Sequence, residues 1–188
     1  MLKTIIKIHR GRKMIYLLRH CKATGQEYNA KLTSEGKESS IKLIPILSKL
    51  NINEIHCSPM TRAIDTVIPF AEKNKIHINT TEVLQERILS FDVIPDWKSH
   101  LEKTFLDFDY KLEMAESSND ALKRIFTFVK SLENDKNHLI VSHGNLLSLL
   151  INKYDKKFGF MESLKMENPD LFKLDLINEK VEHLGIDK

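Results

Sequence analysis

The sequence predicts an α/β domain, a three-layer sandwich with a mainly parallel central sheet and helices on both faces. Three observations predict it. Short apolar runs alternate with longer amphipathic segments through most of the chain, as strand–helix–strand crossovers do. The first run, "MIYLLRH", is apolar and rich in β-formers rather than strictly alternating, the mark of a strand covered on both faces. The 188 residues, 41% hydrophobic, suffice for one real core and contain no linker, repeat or low-complexity run.

The elements follow in order. Residues 14–20 form the first strand. Residues 32–50 form a helix capped by Thr33 or Ser34, with Ile41, Leu43, Ile44 and Leu47 as its apolar stripe and Pro45 as a kink or break. "EIHCS" (54–58) is a second strand, and 60–74 a helix with Pro69 inside it. "KIHINTT" (75–81) alternates like a third strand. A helix over 95–108 starts at Pro95. Another spans 117–134, with Ser117 and Asp120 as a capping-box variant and Ala121, Ile125, Phe128, Val129 and Leu132 facing inward. "HLIVSHGN" (138–145) is a fourth strand ending in a turn, and 146–154 a buried helix. Residues 171–177 and 180–184 make a hairpin turning at Asn178 and Glu179.

The formal charge of +3 belongs to one end of the chain. Residues 1–13 carry Lys3, Lys7, Arg10, Arg12 and Lys13 and no acid; the rest holds 24 basic against 26 acidic side chains. This argues against nucleic-acid binding by the body of the protein. The chain therefore divides into a basic N-terminal extension, 1–13, disordered or not native given that Met14 opens the first strand, and a single domain, 14–188. A basic arm docking on RNA or anionic lipid is the alternative reading of the extension. No run approaches the roughly 18 apolar residues of a membrane span. Cys21 and Cys57 are too few for a disulfide framework and lack metal-ligand spacing, which fits a reducing, cytoplasmic setting.

In such sheets ligands bind beyond the carboxyl ends of the strands. Arg19 and His20 end the first strand; Ser58, Pro59 and, one turn later, Arg62 follow the second; Glu86 and Arg87 follow the third; His143 and Gly144 end the fourth. Taken singly, each is an ordinary turn or surface residue. Together they aim two histidines, two or three arginines and a carboxylate at one rim, a donor-rich cationic site suited to a tetrahedral dianion such as a phosphate ester.

The pieces "LLRHCKAT", "SPMTRAIDT", "LQER" and "VSHGN" resemble, in order and spacing, the histidine phosphatase (phosphoglycerate mutase-like) superfamily, branch 1. The resemblance runs from about Ile15 to Leu176. It implies that His20 is the nucleophile, neutral, with its other ring nitrogen on a backbone carbonyl, forming a phosphohistidine. It implies that Arg19, Arg62 and His143 clamp the phosphoryl oxygens. Glu86 then protonates the leaving alcohol and afterwards activates water, a role for which burial should raise its pKa. No metal or other cofactor is called for.

The chain departs from the family pattern in places. Cys21 stands where glycine is usual, Ala23 beside Thr24 where a hydroxyl is usual, Gln26 where asparagine is usual, and Ala115-Glu116-Ser117 where the family reads G-E-S. Cys21 beside a cationic nucleophile site raises a redox role, with a disulfide to Cys57, against the plainer reading of two small buried fillers. Only 28 residues separate Arg87 from Glu116, too few for the enclosing insertion of a mutase. The expected activity is hydrolysis of a phosphomonoester of a small metabolite. Mutase-type phosphoryl transfer and a non-catalytic phospho-ligand binding module are the alternatives. Residues 88–112 should roof the pocket, with Phe91, Trp97 and Phe105 as roof core, and Lys22, Gln26 and Tyr28 should select the substrate.

Overall fold

The computed structural model describes residues 14–133 and 135–186; the basic extension 1–13 lies outside them. Six strands form one sheet in the order β3-β2-β4-β1-β5-β6. β1 (Ile15–Arg19), β2 (Glu54–Cys57), β3 (Ile78–Thr80) and β4 (His138–Ser142) run parallel, while β5 (Asp170–Asp175) is antiparallel to β1 and β6 (Lys180–His183) to β5. The mainly parallel sheet is thus as expected, with the terminal hairpin as its antiparallel edge.

Side-chain alternation along β1 builds both core layers. Tyr16 and Leu18 join one cluster with Leu43, Leu47, Ala63, Val67 and Phe70, under α1 (Ser34–Ser48) and α2 (Thr61–Asn74). Ile15 and Leu17 join the other with Ala121, Ile125, Val129 and Leu150, under α4 (Ser118–Ser131) and α5 (Gly144–Tyr154). α3 (Trp97–Leu106) lies across residues 97–106, and the short α6 (Phe160–Lys165), absent from the sequence reading, packs beside it.

Local chemistry sets the helix ends. Thr33 caps α1 by accepting from the Gly36 N–H, and Ser117 caps α4 by accepting from the Asp120 N–H at 3.0 Å while its hydroxyl donates to the Asp120 carboxylate. Neither Pro45 nor Pro69 breaks its helix. Pro45 and Ile41, whose carbonyl loses its helical donor, both lie on the exposed side of α1. Ile41 therefore drops out of the apolar stripe. β3 is only three residues long, because the chain leaves the sheet for a 3-10 turn at Glu82–Leu84. Among the described residues no helix is long and apolar enough to cross a membrane.

Candidate active site

Three adjacent strand ends create the site. The His20 N–H donates to the Ser142 carbonyl and the Ser58 N–H to the Val141 carbonyl, which sets His20, Ser58 and His143 side by side past β1, β2 and β4. The His20 and His143 rings meet edge-to-face with centroids 5.1 Å apart. Arg62, in the first turn of α2, and Arg19 close the group. His20, Arg62 and His143 are all buried.

His20 is held neutral and oriented. Burial foremost, then the Arg62 and Arg19 charges, lower its pKa from 6.5 to about 4, against a raising contribution from its bond to the Cys21 carbonyl. That bond, Nδ1 to Cys21 O at 2.7 Å, fixes the proton on Nδ1 and leaves a lone pair on Nε2. The Arg62 Nε–H points at this lone pair from 3.2 Å. Arg62 spends its other donors on the Gln26 and Glu27 carbonyls and the Met60 sulfur, tying the loop after β1 to α2.

His143 is also neutral, its pKa held well below the ordinary value by burial and then by His20 and the arginines. Its Nε2 lies 2.7 Å from Ser58 Oγ, which itself accepts from the Met60 N–H. In the tautomer whose Nε2 accepts the Ser58 hydroxyl proton, the ring carries its own proton on Nδ1. That Nδ1 is buried without a partner, and so is Arg19 Nε. Both atoms carry the cost of a buried polar group until a partner arrives.

Arg19 is fixed by its neighbours. Nη1 donates to the Met166 carbonyl at 2.6 Å, and the guanidinium lies against Gly144, where a Cβ would come within 3.0 Å of Cζ. Burial lowers its pKa, partly offset by Glu86 and Asp170. The Glu86 carboxylate sits at the start of α5, accepting the Arg87 and Leu146 N–H groups on Oε1 and the Asn145 N–H on Oε2. It is half-buried among these donors.

The expectations for Arg87, Phe91 and Trp97 are corrected here. Arg87 turns away from the rim; its buried guanidinium donates to Thr104 Oγ1, Ser118 Oγ and the Glu116 carbonyl, joining α3 to the start of α4. Phe91 and Trp97 are exposed rather than roof core, whereas Phe105 packs into the core and against Phe160. Lys22 is drawn into an exposed pair with Glu35 at 2.6 Å, and Gln26 and Tyr28 are also exposed, meeting the site region through their backbone carbonyls. Glu116 is paired with Arg124.

Cys21 does not disturb the loop. Its φ is not positive, so no glycine is required there. Its thiol points into the core under α1 and α2 while its N–H donates to Thr66 Oγ1 and its carbonyl holds His20. Burial pushes the thiol up to about 12 despite the Thr66 bond, and Cys57 is raised as well by burial. Both are free. The redox role loses its chemical basis, and the filler reading holds.

Sequence reasoning missed the supports. Asn168 Nδ2 donates to the His20 carbonyl at 2.7 Å, Met166 supplies its carbonyl to Arg19, and Thr66 anchors the Cys21 backbone. A backbone carbonyl leaves no trace in residue identity, so Met166 carried no signal; Asn168 had only its place before a proline.

Comparison with known proteins bears on the family and the fold. The family model of the histidine phosphatase superfamily (branch 1) matches residues 15–186. Among curated proteins none matches significantly. Similar solved structures include a mycobacterial glucosyl-3-phosphoglycerate phosphatase (19% identity, 86% of this chain and 89% of that one, TM-score 0.67). Two others are a phosphoserine phosphatase from Entamoeba histolytica (16%, 94% and 97%, 0.69) and YhfR of Bacillus stearothermophilus (20%, 92% and 96%, 0.70). With the match spanning nearly the whole chain and the sheet's carboxyl edge built as described, the chain belongs to branch 1 of the histidine phosphatase superfamily.

Proposed function

We propose that the protein is a metal-independent phosphomonoesterase acting on a small phosphorylated metabolite through a phosphohistidine. One observation carries the reading: a neutral, Nδ1-tethered His20 whose Nε2 lone pair faces buried cationic donors.

In the first step Arg62 Nε–H moves from His20 Nε2 to a phosphoryl oxygen, which frees the lone pair. Nε2 attacks phosphorus as the bond to the ester oxygen breaks. Arg19 Nε–H and His143 Nδ1–H, unpartnered in the free protein, donate to the oxygens where charge develops. Glu86 delivers a proton to the departing alkoxide. Its Oε2, with a single N–H at 3.2 Å, is the oxygen with room to carry that proton. In the second step the Glu86 carboxylate takes a proton from water, the hydroxide attacks the phosphohistidine, and inorganic phosphate leaves with Nε2 restored. Hydrolysis rather than phosphoryl transfer fits the short segment between Arg87 and Glu116 and its exposed Phe91 and Trp97. A substrate screen starts with glucosyl-3-phosphoglycerate and phosphoserine, the esters for which two similar structures are named.

The test is hydrolysis of an aryl phosphate in EDTA. His20→Ala should abolish turnover, and Glu86→Gln should slow it about 10²–10⁴-fold. Turnover by His20→Ala at the wild-type rate would overturn the mechanism. Acid-labile ³²P trapped on wild type but not on His20→Ala would support it.

A further inference from the structure

The opposite edge of the sheet carries a second cluster that the phosphatase chemistry does not use. Glu54 opens β2 and His138 opens β4, directly opposite one another in the parallel ladder; His56 lies two residues along on the same face. Three ligand-type atoms converge there. His56 Nε2 is 3.1 Å from His138 Nδ1, and Glu54 Oε2 is 3.4 Å from the first and 3.5 Å from the second.

We propose that Glu54, His56 and His138 bind one zinc-class divalent cation, with solvent in the fourth position. The geometry fits such an ion. A tetrahedral metal with bonds of about 2.0–2.1 Å holds its ligands about 3.3–3.4 Å apart, and the triangle observed here has sides of 3.1, 3.4 and 3.5 Å. Two imidazoles and one carboxylate form a donor set of zinc-site type, borderline in softness.

The surroundings prepare the ligands. His138 Nε2 lies 3.1 Å from the Glu133 carbonyl and donates to it, which leaves Nδ1 as a lone pair aimed at the triangle. His56 Nε2 then carries the one proton that lies between the rings. A metal displaces it, and the His56 ring takes its proton on Nδ1 instead. Phe128 of α4 meets His56 edge-on at 5.4 Å and closes one side. The local charge suits a cation: Lys136 bonds Glu54 Oε1 and Glu133, so two carboxylates face one ammonium and Oε2 stays directed at the histidines. An ion here would staple β2 to β4 at the end remote from His20.

The experiment titrates EDTA-stripped, desalted protein with Zn²⁺ by calorimetry, and with Co²⁺ by visible absorption. The expected result is one equivalent per chain, a rise in Tm, and Co²⁺ bands of tetrahedral intensity. Glu54→Gln and His56→Gln should each weaken binding at least tenfold, while His183→Gln, which alters the separate His183–Asp170 pair, should not. Lys136→Gln, a surface change, should tighten binding several-fold by removing the competing ammonium. Failure of folded wild type to take up one equivalent, or unaltered uptake in either ligand variant, would overturn the proposal.

Discussion

Cys21 shows how a residue that breaks a sequence pattern can leave its function intact. The backbone does the work at that position, giving its carbonyl to His20 and its N–H to Thr66, while the side chain fills core space. Cys21→Gly should therefore change aryl phosphate kcat less than twofold yet lower stability by about 1–3 kcal/mol in urea unfolding, through a lost buried side chain and a freer backbone. Gly144 behaves oppositely. A Cβ there would press on an Arg19 guanidinium already fixed by the Met166 carbonyl. Gly144→Ala should cut kcat/KM at least tenfold, with far-UV circular dichroism unchanged. Arg19, His20 and His143 were legible because side-chain type at a strand end reveals chemistry, and Arg62 and Glu86 because they follow strands that end on the same rim. Arg87 misled because sequence gives position along the rim but not the direction in which a long side chain turns.

At the level of elements, capping and close approach decide more than propensity. α1 begins where Thr33 caps it, and Gly36 lets its first turn sit on the post-β1 loop; a Cβ there would lie 2.1 Å from the Lys22 carbonyl oxygen. Thr33→Ala should cost about 1 kcal/mol. Gly36→Ala should cost more, because a backbone atom cannot step aside; comparative chemical denaturation gives both figures. α3 depends on Arg87, whose guanidinium spans Thr104, Ser118 and the Glu116 carbonyl. Arg87→Met should leave these partners unmet, lower Tm by several degrees and speed proteolytic cutting within 88–112 ahead of the rest of the chain. The long amphipathic helices and the apolar strands were readable because their periodicity spans many residues. α6, six residues after Gly159, was too short to show a period, and the shortening of β3 follows from a tertiary choice to leave the sheet.

For the whole molecule, burial of neutral histidines sets the response to acid. His20 binds its proton near pH 4 when folded and near 6.5 when unfolded, and His143 and His56 are shifted in the same direction. The unfolded chain thus takes up protons first. Stability is full above about pH 6.5 and is lost as pH falls toward 4, by up to about 1.4 kcal/mol per pH unit for each such histidine. Urea unfolding at pH 7.5, 6 and 5 should show this loss, and His20→Gln should flatten it by about one histidine's share. The layered architecture was legible from the alternation of elements, but the strand order was not, because it rests on pairings far apart in sequence. Two further long-range contacts reach into the active site. Asn168 holds the His20 carbonyl across a separation of 148 residues, and Met166 holds Arg19 across 147. On the ribosome, the nucleophile's strand emerges early and waits for its clamp until nearly the entire chain has been made. A nascent chain stalled before Met166 should therefore carry every side chain that performs the chemistry and still be inactive, so that synthesis itself times the onset of activity.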